Sequence, residues 1–353
     1  MTSLTLVALA ALLSALLLTP LARRLAVRLD LLDRPGARKI HSHPTPLLGG
    51  LAVFCAAALS GLVLWEAALS QQQPAWGRSL AIWGGAALLL TVGILDDRGL
   101  IHPQIKLLGA MPLAASLLAV AGVRFQSGFL PSLFAEGSNA HWAASFALTV
   151  VGVTALSAAF NIFDHMDGLC AGAAAVAAAF FLAFAAWDGQ PATAATAAAL
   201  AGAASGFLCW NFHPAKIFLG DGGAMMLGFM LAALALEIDR FQDRPAGWMA
   251  PLLVLGVPLF DSALVTVSRL RRGLNPFSSP GKDHVAHRLA NLGISQRAVA
   301  LLYYAVGAAL GFLAMLVLEA APEVGYALLA ALVAAAVAVA IALERVRFET
   351  QER

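Results

Sequence analysis

The sequence predicts an all-α, polytopic membrane protein, and three observations support this prediction. Of 353 residues, 60% are hydrophobic and only 12% are charged, a balance typical of chains that cross a bilayer several times. Apolar stretches of about 20 residues, the length of a membrane-spanning helix, recur along the chain. Acidic residues stand where several of these stretches end, and lysine and arginine concentrate in alternate connections.

Eleven apolar stretches are candidate spanning helices. Their approximate bounds are 4–22, 47–69, 79–95, 105–122, 142–160, 168–187, 191–210, 223–238, 248–268, 298–318 and 323–343. The third, fourth and eighth are short, although a shorter helix can serve inside a bundle. No convincing cleavage site precedes Arg23, so we interpret the first stretch as a span and not as a signal peptide. With no boundary or repeat evident, we expect one integral-membrane domain over residues 1–353.

Positive charge predicts the orientation of these spans. Four of the 22 lysine and arginine residues (Arg78, Arg124, Arg240 and Arg244) fall at connections on one side, which leaves 18 for the other. Connections rich in lysine and arginine stay in the cytoplasm. With eleven spans, the N-terminus would therefore lie outside and the C-terminus in the cytoplasm.

The unusual acidic residues all fall on the positively charged side. Asp96 and Asp97 follow the third span, Asp164 and Asp167 lie between the fifth and sixth, and Asp221 lies between the seventh and eighth. Carboxylates at a membrane edge lose hydration, so this pattern indicates a bound cation or a reacting phosphate. The three cysteines have no metal-like spacing, which argues against a disulfide scaffold or a zinc site.

Two of these clusters also have simpler interpretations. Asp96 and Asp97 could form a solvated helix end, or they could raise one another's proton affinity so that one acts as a base. In the run NIFDHMDG at 161–168, Asp167 could cap the sixth helix and Asp164 could be solvated. Asparagine and aspartate with almost no flanking charge are instead typical of ligands for magnesium or a nucleotide, and we favour that function.

Asp221 is the most informative acid, because glycines flank it in the run FLGDGGA at 218–224. It could cap the eighth helix. Glycines on both sides, however, let backbone amides and a phosphate approach closely. Magnesium usually binds through one or two carboxylates together with substrate phosphates, so we favour a magnesium site here.

Two basic segments accompany the acids. The run DHVAHR at 283–288 brings His284, His287 and Arg288 together as a plausible clamp for diphosphate oxygens, although loop histidines are often without function. Lys39 stands in the basic segment 34–43, which could serve only as an orientation signal and anionic-lipid contact, or could bind substrate.

Taken in order, these motifs resemble those of the polyprenyl-phosphate N-acetylhexosamine-1-phosphate transferases, glycosyltransferase family 4. The resemblance covers nearly the whole chain. It rests on RKIH at 38–41 with PTP at 44–46, LDD at 95–97 with Lys106, NIFDHMDGL at 161–169, PAKIFLGD at 214–221, and DHVAHRL at 283–289.

The resemblance implies a helical bundle with cytoplasmic catalytic loops and a role for each matched residue. Asn161 and Asp221 would bind magnesium, with manganese as an alternative, and Phe218 would stack on uracil. The catalytic set would be Asp96, Asp97, Asp164, His284 and His287, and the substrate-binding set Lys39, Lys106, Asp167, Phe218 and Arg288. Asp96 and Asp97 would stand at the reacting phosphates.

The motifs also separate branches of the family. The peptidoglycan branch carries consecutive histidines in its last loop, whereas HVAHR at 284–288 better resembles the branch that starts other envelope glycans. GDGGA at 220–224 departs from the usual Gly-Asp-x-Gly-Ser. N-acetylglucosamine is the leading sugar, with fucosamine, quinovosamine or galactosamine derivatives left open.

The implied reaction transfers a sugar 1-phosphate from a UDP-sugar to undecaprenyl or another polyprenyl phosphate and releases UMP. We favour direct attack by the lipid phosphate over a covalent aspartyl intermediate. The expected location is the bacterial inner membrane. The expected partners are both substrates and the lipid bilayer, with no nucleic acid, and a homodimer is left open.

The competing class is a transporter or lipid flippase that uses the acids as an ion path. Such proteins usually place ionisable groups near the bilayer midplane. Here we expect the middles of the spans to lack charge, which favours an enzyme.

Overall fold

The computed structural model describes residues 2–35, 43–69, 76–126, 133–276, 281 and 283–346. In chain order its helices are α1 (Thr2–Arg28), α2 (Gly49–Leu69), α3 (Trp76–Asp97), α4 (Pro103–Ile105), α5 (Met111–Val120), α6 (Asn139–Phe163), α7 (Leu169–Trp187), α8 (Pro191–Asn211), α9 (Gly220–Glu237), α10 (Asp239–Asp243), α11 (Met249–Val254), α12 (Gly256–Arg271), α13 (Val285–Asn291), α14 (Gln296–Glu319) and α15 (Pro322–Glu344). A π-helical turn, Lys106–Ala110, joins α4 to α5. The predicted all-α fold is confirmed.

Each of the eleven predicted apolar stretches coincides with a helix or a pair of helices. Eight of the described helices are long and apolar enough to cross a membrane, and Gly49–Gly61 and Lys106–Val120 are shorter apolar segments. The predicted stretch 248–268 is divided at Leu255 into α11 and α12. Pro258 explains part of this break, because it has no N–H to donate to the carbonyl four residues earlier.

Helix α9 is the centre of the bundle. It packs against α2, α3, α6, α7 and α8, and 83% of its apolar window is buried. In contrast, only 6% of the window of α15 is buried, so its valine, leucine and alanine side chains face outward. An apolar helix with an exposed surface is stable in lipid, which agrees with an integral membrane protein.

Glycines bring the backbones of α3 and α9 into contact. A Cβ atom on Gly93 would lie 2.1 Å from Cα of Gly222, and one on Gly222 would lie 2.4 Å from the carbonyl oxygen of Leu90. Close approach of this kind is how small residues pack helices in membranes. The contact lies one helical turn before the end of α3 and at the start of α9, so it holds the two acidic helix ends together.

The chain before α2 is extended and pairs with the chain before α9. Residues Leu32–Asp33 and Thr45–Pro46 form a short antiparallel ribbon, β1 and β2. The N–H of Phe218 then donates to the carbonyl of Pro46 at 2.9 Å, and Gly49 donates to the carbonyl of Phe218 at 2.9 Å. These bonds fix the segment that leads into Asp221.

A second polar network lies among the connections at the opposite ends of the helices. Arg240 Nε donates to Asp188 at 2.5 Å, and Arg240 Nη1 donates to Glu319 at 2.7 Å. The guanidinium also lies 4.5 Å from the ring centre of Trp187. Asp188 follows α7, Arg240 lies in α10 just after α9, and Glu319 ends α14, so the network ties these helix ends together.

The glycine contact predicts opposite results for two substitutions in α3. Gly93→Ala should lower the stability of the purified protein by about 1–3 kcal/mol, because the new methyl group meets backbone that cannot yield easily. Gly84→Ala is the matched control, since a Cβ there meets nothing within 4 Å. Alanine exceeds glycine in helix propensity by about 0.5–1 kcal/mol, so the control should be unchanged or more stable. Thermal unfolding in detergent measures both, and equal unfolding temperatures would contradict the predicted packing.

Candidate active site

Three separate connections bring their polar side chains to one end of the bundle. Asp96 and Asp97 are the last residues of α3, Lys106 opens the π-helical turn, and Asp221 stands in the first turn of α9. Asn161 lies in the last turn of α6. A π turn in an otherwise α-helical segment is frequent at functional sites, and here it begins at the lysine.

Lys106 connects the two acidic helix ends. Its Nζ donates to Asp96 Oδ2 at 2.5 Å and also to Asp221 Oδ2. The side chains of Lys106 and Asp96 are only 15% and 13% exposed, so little water reaches this pair. The backbone N–H of Asp221 donates to Asp97 Oδ1 at 3.3 Å, and Asn161 hydrogen-bonds to the Asp221 side chain.

Gly220 explains how Asp97 reaches this position. Its φ of +79° lies in the left-handed region, which favours glycine. A Cβ on Gly220 would lie 2.7 Å from Asp97 Oδ2. A side chain at position 220 would therefore push the Asp97 carboxylate away from the start of α9.

Asp164 adds a fourth carboxyl group to this cluster. It follows the last residue of α6, and burial together with the charges of Asp221 and Asp167 raises the pKa of Asp164 to about 7. Among the described residues, the one ammonium group that contacts this cluster is that of Lys106, through Asp96 and Asp221. Such an excess of partly buried negative charge is unfavourable without further positive charge.

Asp167 is occupied by neighbouring protein groups. Its Oδ2 lies 2.8 Å from Nδ1 of His213 and accepts the N–H of Ala215 at 3.0 Å. Asn211 supports the same connection, since its Oδ1 accepts the N–H of Gly168 at 3.1 Å and its Nδ2 donates to Ile217 at 2.9 Å. Asp167 therefore holds the segment that leads to Phe218, and its predicted contact with substrate stays a prediction. His213 and Asn211 were not among the residues predicted from the sequence.

Phe218 lies half-buried in the extended segment just before α9. Its backbone is bonded on both sides, to Pro46 and to Gly49. The position agrees with a site beside Asp221, and the stacking of its ring on a base stays a prediction. The predicted substrate-binding residue Lys39 lies in 36–42, outside the described residues.

A histidine cluster adjoins the end of α6. The rings of His165 and His284 have centroids 3.6 Å apart, and the centroid of His287 lies 4.8 Å from that of His165. Burial and then His284 lower the pKa of His165 to about 4, and burial with the other two rings lowers the pKa of His287 to about 3. His165 and His287 are therefore neutral at pH 7.

The carboxylate of Asp261 organises this cluster. It lies within α12, is 1% exposed, and its Oδ2 is 2.7 Å from Nδ1 of His284. The expectation that the middles of the spans lack charge is wrong at this position. Asp261 stands inside the predicted stretch 248–268, where a single acid in an apolar run gives no signal of a partner distant in sequence.

The histidine cluster suits a metal ion less well than the acidic cluster does. His165, Asp261 and His284 each place a ligand atom within 4.8 Å of the others. A metal bound by imidazole lies in the ring plane about 2.0–2.1 Å from the nitrogen. The two rings, however, lie nearly face to face with planes only 32° apart. One ring would have to turn before both could bind the same ion.

Arg288 is bound within the protein. It is fully buried, and its guanidinium donates to the carbonyl of Leu343 at 2.7 Å and to Glu344 at 3.0 Å, at the end of α15. Asp283 pairs with Arg269 at 2.8 and 3.0 Å. Burial alone would raise the pKa of Asp283, but Arg269 and Arg272 hold it at about 2. These contacts fix the loop that carries His284, and the contact of Arg288 with substrate stays a prediction.

Comparison with known proteins identifies the family. The profile of glycosyl transferase family 4 matches residues 79–239. The chain is 32% identical over 301 residues to the probable undecaprenyl-phosphate N-acetylglucosaminyl 1-phosphate transferase of Bacillus subtilis (strain 168), an alignment that covers 84% of this chain and 80% of the relative.

Two further relatives have related names. A decaprenyl-phosphate N-acetylglucosaminephosphotransferase of Mycobacterium tuberculosis (strain ATCC 25618 / H37Rv) is 33% identical, with 80% of this chain and 74% of the relative aligned. The undecaprenyl-phosphate alpha-N-acetylglucosaminyl 1-phosphate transferase of Escherichia coli (strain K12) is 28% identical, with 78% and 73% aligned. With its motifs in the expected order and this extent of similarity, the chain belongs to glycosyl transferase family 4.

Proposed function

We propose that this protein transfers N-acetylglucosamine 1-phosphate from UDP-N-acetylglucosamine to undecaprenyl phosphate or a related polyprenyl phosphate. A lipid phosphate oxygen forms a bond to the phosphorus that carries the sugar, the bond from that phosphorus to the bridging oxygen breaks, and UMP leaves. The observation that supports this most is the cluster of Asp96, Asp97, Asp164 and Asp221 around Lys106. The names of the relatives support the choice of sugar and lipid.

The acidic cluster fits a magnesium ion. The atoms that could bind the ion are carboxylate and amide oxygens, the ligands that magnesium prefers. The cluster also holds more negative charge than Lys106 can balance. Asp221 and Asn161 would hold the ion, with Asp97 beside them. When bound, magnesium would neutralise charge on the diphosphate and on the departing UMP, and manganese could replace it.

The protein's own side chains would position the two anionic substrates. Lys106 supplies positive charge between Asp96 and Asp221, and its ammonium group can turn towards a phosphate oxygen when substrate arrives. Because a phosphate monoester is already ionised near neutral pH, the attack needs little help from a base. Asp164, with a pKa of about 7, is a carboxyl group that can hold a proton under the same conditions.

A transporter is the weaker alternative. The chain belongs to a family of glycosyl transferases, and Asp96, Asp97 and Asp221 gather at one end of the bundle. Asp261 is the acid that a transporter hypothesis would emphasise, but hydrogen bonds from Val285 and Tyr303 and the close His284 ring occupy its oxygens. A carboxylate so fully engaged is a poor carrier of ions.

We further propose that the acidic cluster opens to the cytoplasm of a bacterium, where UDP-sugars are made, and that the protein resides in the inner membrane. The excess of lysine and arginine at that end supports this orientation. Formation of a homodimer stays a prediction.

Asp221→Ala should abolish transfer, with kcat reduced by at least about 10³-fold even at high magnesium concentration. The substitution removes the carboxylate that would hold the ion, which is also a hydrogen-bond partner of Lys106. The measurement is transfer of labelled sugar phosphate from UDP-N-acetylglucosamine to undecaprenyl phosphate by purified protein. Asp243→Ala, at an exposed acid that ends α10, is the control and should retain full activity. Turnover by Asp221→Ala that equals the control would remove Asp221 from the site.

A panel of UDP-sugars tests the predicted donor. UDP-N-acetylglucosamine should give labelled lipid at least about tenfold faster than UDP-N-acetylgalactosamine or the UDP-linked fucosamine and quinovosamine derivatives, since a pocket that hydrogen-bonds a sugar hydroxyl rejects sugars that place it differently. Faster transfer from another UDP-sugar would show that the proposed sugar is wrong, while the proposed type of reaction would stand. No labelled lipid from any of them, with labelled sugars or ions crossing vesicles, would favour transport.

A further inference from the structure

Asp261 is a buried carboxylate whose partners come from three other elements. His284 Nδ1, just before α13, lies 2.7 Å from Oδ2, and the N–H of Val285 donates to Oδ1 at 2.8 Å. The hydroxyl of Tyr303 in α14 donates to Oδ1 at 3.3 Å, and Nε2 of His165 lies 3.4 Å from Oδ2. Both oxygens are therefore engaged, and the carboxylate joins α12 to the loop before α13.

This arrangement determines which nitrogen of His284 carries the proton. An ionised carboxylate only accepts hydrogen bonds, so Nδ1 of His284 must be the donor in the 2.7 Å contact. In the form of the ring that carries one proton, Nε2 is then unprotonated and has a lone pair free to accept a hydrogen bond. Because the same carboxylate also holds the N–H of Val285, it fixes the ring and the backbone beside it together.

The surroundings hold the His284 ring in this orientation. The His284 side chain is only 5% exposed, and the ring of His165 packs on it at 3.6 Å. On the chain preceding it, Asp283 is anchored by Arg269 and Arg272. Among the described residues, Arg269 and Arg272 are thus paired with Asp283, and Asp261 is the carboxylate that contacts the His284 ring.

We propose that Asp261 is a positioning residue of the transferase, which fixes His284 with its proton on Nδ1 so that Nε2 accepts a hydrogen bond from an O–H or N–H group of the bound UDP-sugar. The inference rests on the proposed function. It assigns a task to an acid that does not touch the substrate and that no motif in the sequence marks.

The test combines kinetics with the position of the histidine proton. In Asp261→Asn, the amide oxygen can still accept from Val285, but its NH₂ group faces Nδ1 of His284 and donates there. The proton of His284 must then move to Nε2, which can no longer accept. We expect kcat/KM for UDP-N-acetylglucosamine to fall by about 10²-fold or more, the usual effect of losing a positioned proton acceptor.

Nitrogen-15 NMR of histidine-labelled protein supplies the readout that a purely structural role would not change. The His284 signals are assigned by their loss in His284→Gln. We expect protonated Nδ1 in the wild type and protonated Nε2 in Asp261→Asn. Ser262→Ala is the matched control, because Ser262 is a buried neighbour in the same helix whose hydroxyl donates to Ala159 at 2.9 Å. It should keep the wild-type His284 spectrum and kcat/KM within about threefold, since it leaves the carboxylate intact.

The results separate the two proposals. A wild-type His284 with its proton on Nε2, or Asp261→Asn with wild-type kcat/KM, would overturn the inference. If Asp261→Asn does not fold, the wild-type spectrum still decides which nitrogen is protonated. If the wild-type protein transfers no sugar phosphate from any UDP-sugar, that result would instead contradict the proposed function, whatever the NMR spectrum shows.

Discussion

Repulsion among carboxylates is the constraint on which this site depends. Asp96, Asp97, Asp164 and Asp221 come from three helix ends, and in the part of the chain that the structure describes, the one ammonium group that contacts them is that of Lys106. Like charges in a half-buried place raise one another's proton affinity or require a cation. The protein holds them together because the backbones of α3 and α9 are in contact. The free energy of this packing offsets the electrostatic repulsion among the acids.

That packing explains why glycine occurs where it does around Asp221. Gly222 allows α3 to approach, Gly223 allows the start of α2 to approach, and Gly220 leaves room for the Asp97 carboxylate. The paired segments 45–50 and 217–219 then hold the entry to α9 from the other side. A methyl group at Gly220 would therefore meet the Asp97 carboxylate, and one at Gly222 or Gly223 would meet the backbone of a neighbouring helix.

The sequence alone predicted the helices and much of the acidic cluster. Apolar stretches identified eleven helical segments, and Asp96, Asp97, Asp164 and Asp221 were expected on one side because charge counting placed their connections there. Asn161 was expected beside Asp221 from the family resemblance. Local patterns do not specify tertiary partners, however. Asp261 stands alone in an apolar stretch, Asp167 is bound by His213, and Arg288 reaches the end of α15. The partners of Asp167, Asp261 and Arg288 lie 46, 23 and 55 positions away in the sequence, too far for a local pattern to identify them.

Electron paramagnetic resonance of manganese bound to the purified protein tests the central claim most directly, because the acidic cluster is proposed to hold a divalent cation together with substrate phosphates. With UDP-N-acetylglucosamine present, the account predicts one bound Mn²⁺ per chain with hyperfine coupling to phosphorus. Both signals should disappear in Asp221→Ala. Mn²⁺ that binds Asp221→Ala as tightly as the wild type, or binds the wild type without phosphorus coupling, would contradict it.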